Sequence, residues 1–359
     1  MTDQKVRVAV VGLGLGRSHL EAYQCLPDLF DVVAVADLNV ERAREVAAEF
    51  HVPRVCASLD DLCAQDGLEV IDICTPSYLH APNVRQVVAA GKNAISEKPI
   101  AGSLKEVDEL IALEAESGCR IMPIFQYRFG HGAQKLKLLI DSGVAGRAYM
   151  TTVETAWRRR PEYYAVPWRG KWATELGGAI VTLAIHNHDL LTYLLGPARR
   201  VFARAKTLVN PIETEDTLTA TVEMADGSLA SLSVTTGSSQ EISRHRFCFS
   251  GLVAESNTRP YTNSHEPWSF IGDTPEIDTE IQATLQRFEP LPERFPGQFY
   301  RFYRALRASA PLPVTLQDAR ASLELITALY YSVENGQDVD LPIGPDHPYY
   351  GGWAPNEGG

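Results

Sequence analysis

A glycine-dense loop near the N-terminus constrains this chain more than any other feature. Lys5–Val11 is a compact, β-branched run, Gly12-Leu13-Gly14-Leu15-Gly16 follows it directly, and Arg17–Leu26 has helical spacing. In a strand–loop–helix unit of this kind, glycines let the backbone turn tightly and approach a phosphate. The helix N-terminus adds free N–H groups and the positive end of its dipole. A second strand, Asp31–Asp37, ends in a carboxylate about 20 residues after the loop, where a dinucleotide fingerprint needs an acidic group. Gly12, Gly14, Leu15 and Gly16 are thus candidate pyrophosphate contacts, and Asp37 a candidate partner of the adenosine ribose. A carboxylate there repels a 2′-phosphate, which favours NAD over NADP, with Arg42 close enough to temper the preference. The spacing G-x-G-x-G is one residue shorter than the usual G-x-G-x-x-G.

The first third goes on alternating. Val40–Phe50 reads as a helix, Ser58 as the N-cap of another, Glu69–Cys74 as a strand and Ala81–Ala90 as a helix stopped by Gly91. Asn93–Ser96, Ser103–Ser117 and Arg120–Phe125 follow as strand, helix and strand. Apolar strands alternating with helices imply a parallel, doubly wound sheet, an α/β Rossmann domain over residues 1–125. The pattern then changes. Lys135–Asp141 is a short helix, Ala148–Trp157 a long strand, 158–170 a Pro- and aromatic-rich loop, and Ile180–Leu195 a buried helix. Strand-like runs at Val201–Leu208, Asp216–Met224, Ser228–Thr235 and Ile242–Ser250 are joined by short turns. Helices at Phe299–Ala308 and Leu316–Val333 and a coil tail from Pro342 complete the chain. Residues 126–359 therefore read as an α+β domain with an open, mostly antiparallel sheet. Such a sheet must cover its second face, and a homodimer or homotetramer formed through it is the expected cover.

Composition narrows the partners. A net charge of −12 excludes a basic nucleic-acid footprint. Arg158, Arg159 and Arg160, the one compact basic run, read as a solvated loop. No segment approaches the roughly 20 apolar residues of a membrane span, and Val6–Val11 is too short and too glycine-bounded for a signal peptide. The six cysteines lack CxxC spacing and read as reduced, buried thiols, so the expected compartment is the cytoplasm.

Three later segments carry more information than the glycine loop: Cys74-Thr75-Pro76-Ser77-Tyr78-Leu79-His80, Ala90-Gly91-Lys92-Asn93-Ala94-Ile95-Ser96-Glu97-Lys98-Pro99, and Phe125-Gln126-Tyr127-Arg128-Phe129. In this order they resemble the Gfo/Idh/MocA family of glucose–fructose oxidoreductases and inositol 2-dehydrogenases. The resemblance covers the N-terminal domain and, more loosely, the rest. It implies that Thr75, Pro76 and His80 line the cofactor site, that Glu97 and Lys98 stand at its nicotinamide end, and that Lys98 is catalytic. A strand-end lysine can hydrogen-bond a reacting hydroxyl and stabilise charge developing on its oxygen. Read without the flanking motifs, Glu97–Lys98 is equally a surface ion pair before a rigid proline. Lys98–Pro99 is also a candidate cis peptide.

By the same resemblance, Gly177–Leu191 carries the second catalytic segment. Family members place Asp and His four residues apart, then a second Asp. Here His186 matches the His, Asp189 matches the second Asp, and Thr182 stands where the first Asp is expected. His186 is then a general acid/base without its usual carboxylate neighbour, and less basic for it. His188 reads as structural, because i and i+2 point to different helix faces. The spacing of His186, His188 and Asp189 does not converge on a metal, and none is expected.

Tyr127, Arg128, Trp157, Arg169 and Trp172, with His186 and Asp189, are candidate substrate contacts, since flat aromatics and Arg donors suit a carbohydrate. Tyr127 and Arg128 could instead join the two domains. The reading is an NAD(P)-dependent oxidoreductase acting on a secondary hydroxyl of a sugar, inositol or glycoside. The alternatives are a glycosidase or lyase using NAD transiently, and a non-catalytic dinucleotide or sugar sensor.

Overall fold

A computed structural model describes residues 4–354. The chain forms two compact units. One takes the described residues up to Phe125 together with Phe295–Arg320, and the other takes Gln126–Arg294 together with the described residues from Ala321 onward.

In the first unit, strands β1 (Val6–Val11), β2 (Phe30–Ala36), β3 (Val55–Cys56), β4 (Val70–Ile73), β5 (Asn93–Ser96) and β6 (Ile121–Pro123) interleave with helices. These are α1 (Gly16–Gln24), α2 (Val40–Glu49), α3 (Leu59–Cys63), α4 (His80–Ala89) and α5 (Leu104–Ser117). The strand order is β3-β2-β1-β4-β5-β6, and every pair is parallel. Val8, Val10, Val70, Ile71, Ile73 and Ile95 are wholly buried, as a sheet covered on both faces requires. Ser58 caps α3 by accepting the Asp61 N–H, and Ser103 caps α5 by accepting the Glu106 N–H. The strand order reverses between β1 and β4, the point where open α/β sheets leave a crevice at their carboxyl ends.

The helix Arg294–Ala308 brings a distant stretch of chain into this unit. The sequence pattern alone places a single boundary after residue 125, with this helix in the second domain. Its aromatic face decides otherwise. Phe299 stacks on Tyr23 with centroids 4.4 Å apart, and Phe295 lies 4.4 Å from the His19 ring.

The second unit begins with α6 (His131–Asp141), β7 (Ala148–Arg158), α7 (Trp172–Glu175) and α8 (Ile185–Leu195). It continues through β8 (Ala198–Lys206), β9 (Thr217–Met224), β10 (Leu229–Thr235), β11 (Gly237–Phe249), β12 (Leu252–Glu255), β13 (Ser269–Gly272), α9 (Pro275–Leu285) and β14 (Val339–Asp340). These strands form one sheet in the order β13-β12-β11-β7-β10-β9-β8-β14. Pairing is antiparallel except between β10 and β7. Leu218, Ala220, Val222 and Met224 of β9 face the core while Thr219 and Thr221 face outward, the period of two that leaves one face open. On that face Leu229, Met150, Cys248, Val253 and Ile271 stand in register across five neighbouring strands. Leu229, Met150 and Ile271 are each more than half exposed.

Two further differences from the sequence reading have physical causes. The tail is irregular, as expected, but not a loose surface coil: Ile343 and Trp353 are buried, and the Trp353 indole N–H donates to the Leu176 carbonyl at 2.6 Å. All six cysteines are free, but only Cys56 and Cys74 are buried, and Cys25 is exposed. No described helix is long and apolar enough to cross a membrane.

Candidate active site

The three glycines of the first loop do different work. A Cβ on Gly12 would lie 2.5 Å from the Cys74 carbonyl oxygen and 2.8 Å from the Thr75 nitrogen, at a φ of +88°. Gly12 therefore holds the loop against the end of β4. A Cβ on Gly16 would lie 2.9 Å from Val10 Cγ1, so this glycine lets α1 close on β1. Around Gly14 a Cβ would meet nothing within 4 Å; this is the open side of the loop, where backbone can approach a ligand. Leu15 precedes α1 and gives it no side-chain cap, which leaves the helix N-terminus suited to an anion. Asp37 is buried at the end of β2. Its Oδ2 accepts the Leu13 N–H at 2.8 Å, its Oδ1 accepts the Asn39 N–H at 2.8 Å, and Arg42 stands 3.2 Å from Oδ1. The acidic residue thus ties the glycine loop to its own strand and carries a half-exposed arginine beside it. Turn glycines, an open loop and an acidic strand end fit a dinucleotide.

The ends of β4 and β5 are braced together behind this loop. His80 sets Nε2 2.7 Å from the Thr75 carbonyl oxygen and Nδ1 2.7 Å from that of Pro99. Burial holds its pKa below the ordinary histidine value, against the two carbonyl contacts, which favour the cation. It braces the Thr75-Pro76 turn from behind; Thr75 and Pro76 are only half-buried. Asn83 donates to the Thr75 hydroxyl at 3.0 Å. The Lys98–Pro99 peptide is cis. Glu97 is buried. Its Oε1 is 3.1 Å from His19 Nε2, and its Oε2 accepts the Lys98 backbone N–H at 3.1 Å. Lys98 itself is half-buried.

In the second unit, His186 lies in the first turn of α8 and stacks on Tyr127, centroids 4.6 Å apart and planes 12° off parallel. The expected helix from Ile180 is divided: Ile180–Ala184 is a π-helical turn, and the α-helix starts after it. Such turns commonly mark functional sites. Glu215 anchors the turn, accepting from the Gly178 and Ile180 N–H groups at 3.0 and 2.9 Å and from the Tyr330 hydroxyl at 2.9 Å. Burial pushes its pKa up to about 7 against those bonds. The Thr182 hydroxyl donates to the Gly178 carbonyl one turn back at 2.8 Å, a bond to its own helix backbone. His188 is buried, and burial followed by the nearby His245 lowers its pKa to about 3, so it is neutral.

Several expected substrate contacts have partners within the second unit. Arg128 and Asp189 form a buried bidentate pair, Nε to Oδ2 at 2.7 Å and Nη2 to Oδ1 at 2.6 Å, and the Ser322 hydroxyl donates to Asp189 at 3.1 Å. Trp157 is buried, with its indole N–H on Ser243 Oγ at 2.8 Å. Tyr127 is buried beneath His186. Arg169 and Trp172 remain partly exposed. The Arg169 guanidinium lies 3.9 Å from the Tyr163 ring centroid and 4.4 Å from that of Trp168, and the Trp172 indole donates to the Glu213 carbonyl at 3.1 Å. The basic run is not uniformly solvated: the Arg159 side chain is only 9% exposed and sits over Trp157, Tyr163 and Tyr261.

Sequence reasoning missed His19, Tyr23, Asp72 and Glu215. Asp72 gave a signal, because a charged residue inside an otherwise apolar strand demands a buried partner.

Comparison with known proteins agrees with this arrangement. Residues 6–125 match the model of an oxidoreductase family with an NAD-binding Rossmann fold, and residues 133–251 match that of the GFO/IDH/MocA C-terminal domain. The WlbA dehydrogenase of Bordetella pertussis, solved with NADH and UDP-GlcNAcA, is 29% identical with a TM-score of 0.84. It aligns over 95% of this chain and 100% of its own. The D-glucoside 3-dehydrogenase of Escherichia coli is 25% identical over 95% of this chain and 99% of its length. The uncharacterized oxidoreductase YrbE of Bacillus subtilis is 25% identical over 95% and 98%. With both halves matched in order along one chain, this protein belongs to the Gfo/Idh/MocA oxidoreductase family.

Proposed function

We propose that this chain is an NAD-dependent dehydrogenase that oxidises a secondary hydroxyl of a carbohydrate or polyol. The observation that carries the reading is the first sheet's carboxyl edge. There an open glycine loop after β1, the Thr75-Pro76 turn after β4 and Lys98 after β5 stand on adjacent strands at the point of order reversal. Relatives named for glucoside and inositol oxidation support the substrate class. A relative solved with a nucleotide-linked sugar extends that class to larger sugar derivatives.

In this reading the Gly12–Gly16 loop and the α1 N-terminus hold the pyrophosphate, and Asp37 meets the ribose hydroxyls. NAD supplies the hydride acceptor. His186 takes the hydroxyl proton, and stacking on Tyr127 fixes the plane of its ring. Lys98 stabilises the charge developing on the substrate oxygen. Thr182 contributes through the helix backbone that carries His186. Arg169 and Trp172 are the carbohydrate contacts, while Arg128 and Asp189 hold α8 in place. The chain pairs with copies of itself through the open sheet face, where the apolar row from Leu229 to Ile271 supplies the contact.

The test is reduced-nicotinamide absorbance with NAD or NADP and a panel of sugars, inositols, glycosides and nucleotide-linked sugars, with Lys98→Ala run beside the parent. A signal with NAD that the variant loses is the expected result. Cofactor binding without turnover across the panel would refute it.

A further inference from the structure

Asp72 lies in the middle of β4 and is wholly buried among apolar neighbours. A carboxylate at that depth is costly unless it is paired and hydrogen-bonded. It is. His19 Nδ1 is 2.8 Å from Oδ2, the Tyr23 hydroxyl donates to Oδ2 at 2.9 Å, and the Cys74 thiol donates to Oδ1 at 3.7 Å. The other nitrogen of His19 faces a second carboxylate, Glu97 Oε1, at 3.1 Å. A neutral imidazole has one N–H, so it cannot donate to both acids; the imidazolium can. Burial alone pushes the His19 pKa down, but Asp72, first by its charge and then by its hydrogen bond, together with Cys74, whose Sγ is 3.4 Å from Nδ1, outweighs it and holds the ring well above the ordinary value. Burial likewise pushes Glu97 up, and the hydrogen bond and charge of His19 bring it below the usual carboxylate range. The Cys74 thiol is pushed up by burial to about 12, so it is a neutral donor. Phe295 and Phe299, centroids 4.4 and 5.4 Å away, flank the ring.

His19, Asp72 and Cys74 also bring donor atoms within 4.8 Å of one another, as a metal trio would. Their hydrogen bonds already satisfy them mutually, and the imidazolium supplies the positive charge. The arrangement is an ion bridge, and its far end is the residue before Lys98.

We infer that His19 is a positioning residue for Lys98. As a cation between Asp72 and Glu97 it fixes the Glu97 carboxylate, whose second oxygen holds the Lys98 backbone N–H. The direction in which Lys98 leaves β5 is thereby set from inside the sheet. The inference rests on the reading of Lys98 as the group that meets the reacting hydroxyl. Misplacing such a group by about 1 Å costs about 10²-fold in rate, so a buried residue with no contact to substrate can govern turnover.

The test uses the full chain and the substrate found in the absorbance panel. His19→Gln is expected to lower kcat by about 10²-fold while leaving KM for NAD within about twofold, because the glycine loop is untouched. His19→Gln/Glu97→Gln should be no slower than the slower single variant, since both changes cut one chain of contacts. His19→Gln/Asp72→Asn keeps the cluster's net charge, guards against failure to fold, and should be slowed alike. Nitrogen-resolved NMR of the parent should show two ring N–H protons, absent in His19→Gln, that persist at pH 8. A neutral His19 at pH 7, parental kcat in His19→Gln, or additive losses in the Glu97 double variant would each overturn the inference. Parental turnover in Lys98→Ala would instead remove the reading beneath it. Parental turnover in His19→Gln with Lys98→Ala inactive defeats only the positioning role.

Discussion

Replacing Asp189 by leucine strands the Arg128 guanidinium in the second unit. The pair makes two charge-assisted bonds of 2.7 and 2.6 Å, with side chains 4% and 0% exposed. Asp189 also accepts from Ser322, and Arg128 lies over the Tyr193 ring at 4.9 Å. Breaking a buried pair by removing one partner typically costs about 3–5 kcal/mol, whereas replacing both with apolar groups is often neutral. At about 2–4 °C per kcal/mol for a unit of this size, Asp189→Leu should melt roughly 6–20 °C below the parent. Arg128→Met should fall similarly, and Arg128→Met/Asp189→Leu should recover most of the loss. Thermal melts and urea titrations of the four proteins give the numbers. The reasoning fails if Asp189→Leu stays within about 1 kcal/mol of the parent, or if the double variant is no more stable than either single one. It also fails if the double variant is as stable as the parent but has lost its affinity for substrate, because the pair would then be a binding group.

Gly12→Ala forces a methyl group onto the backbone of Cys74 and Thr75 at a positive φ; calorimetric NAD titration should show binding weakened at least tenfold, about 1.4 kcal/mol, and unchanged affinity would contradict the loop assignment. Asp37→Ala removes a carboxylate beside Arg42, so the ratio of kcat/KM for NADP to that for NAD should rise, and a constant ratio would count against Asp37 as the selector. Glu215 has a folded pKa raised from 4.5 to about 7, so the folded state holds a proton that the unfolded state releases. Its contribution is largest below pH 4.5 and is lost as pH rises towards 7. The stability of the parent minus that of Glu215→Gln, from urea titrations across that window, should fall with pH, and a flat difference would refute the assignment.

The first unit was legible because its signals are local. Gly12, Gly14 and Gly16 follow an apolar strand, Asp37 closes the next, and Ser58 and Ser103 cap helices within three residues. What escaped depends on distance along the chain. β12 and β13 are four residues each, too short to show a period; β12 forms on the edge that β11 presents, and β13 on the edge of β12. Helix α9 did carry a start signal, Thr274 before Pro275. Residue type alone cannot tell an arginine aimed at a ligand from Arg128, which has a carboxylate of its own 61 positions later. Asp72 and Glu97 are joined by a histidine from α1, which no spacing rule links to either.

The helix Arg294–Ala308 also bears on how the protein is made. The first sheet is synthesised early, yet the aromatic side chains that close over His19 and Tyr23 come after residues 126–294. At about 5–20 residues per second, that intervening stretch takes roughly ten to thirty seconds to translate. Through that interval the nascent nucleotide-binding half lacks the cover over its buried charges. Its completion on the ribosome waits for nearly the whole second unit to be translated, and a fragment ending at Phe125 would remain permanently in that unfinished state.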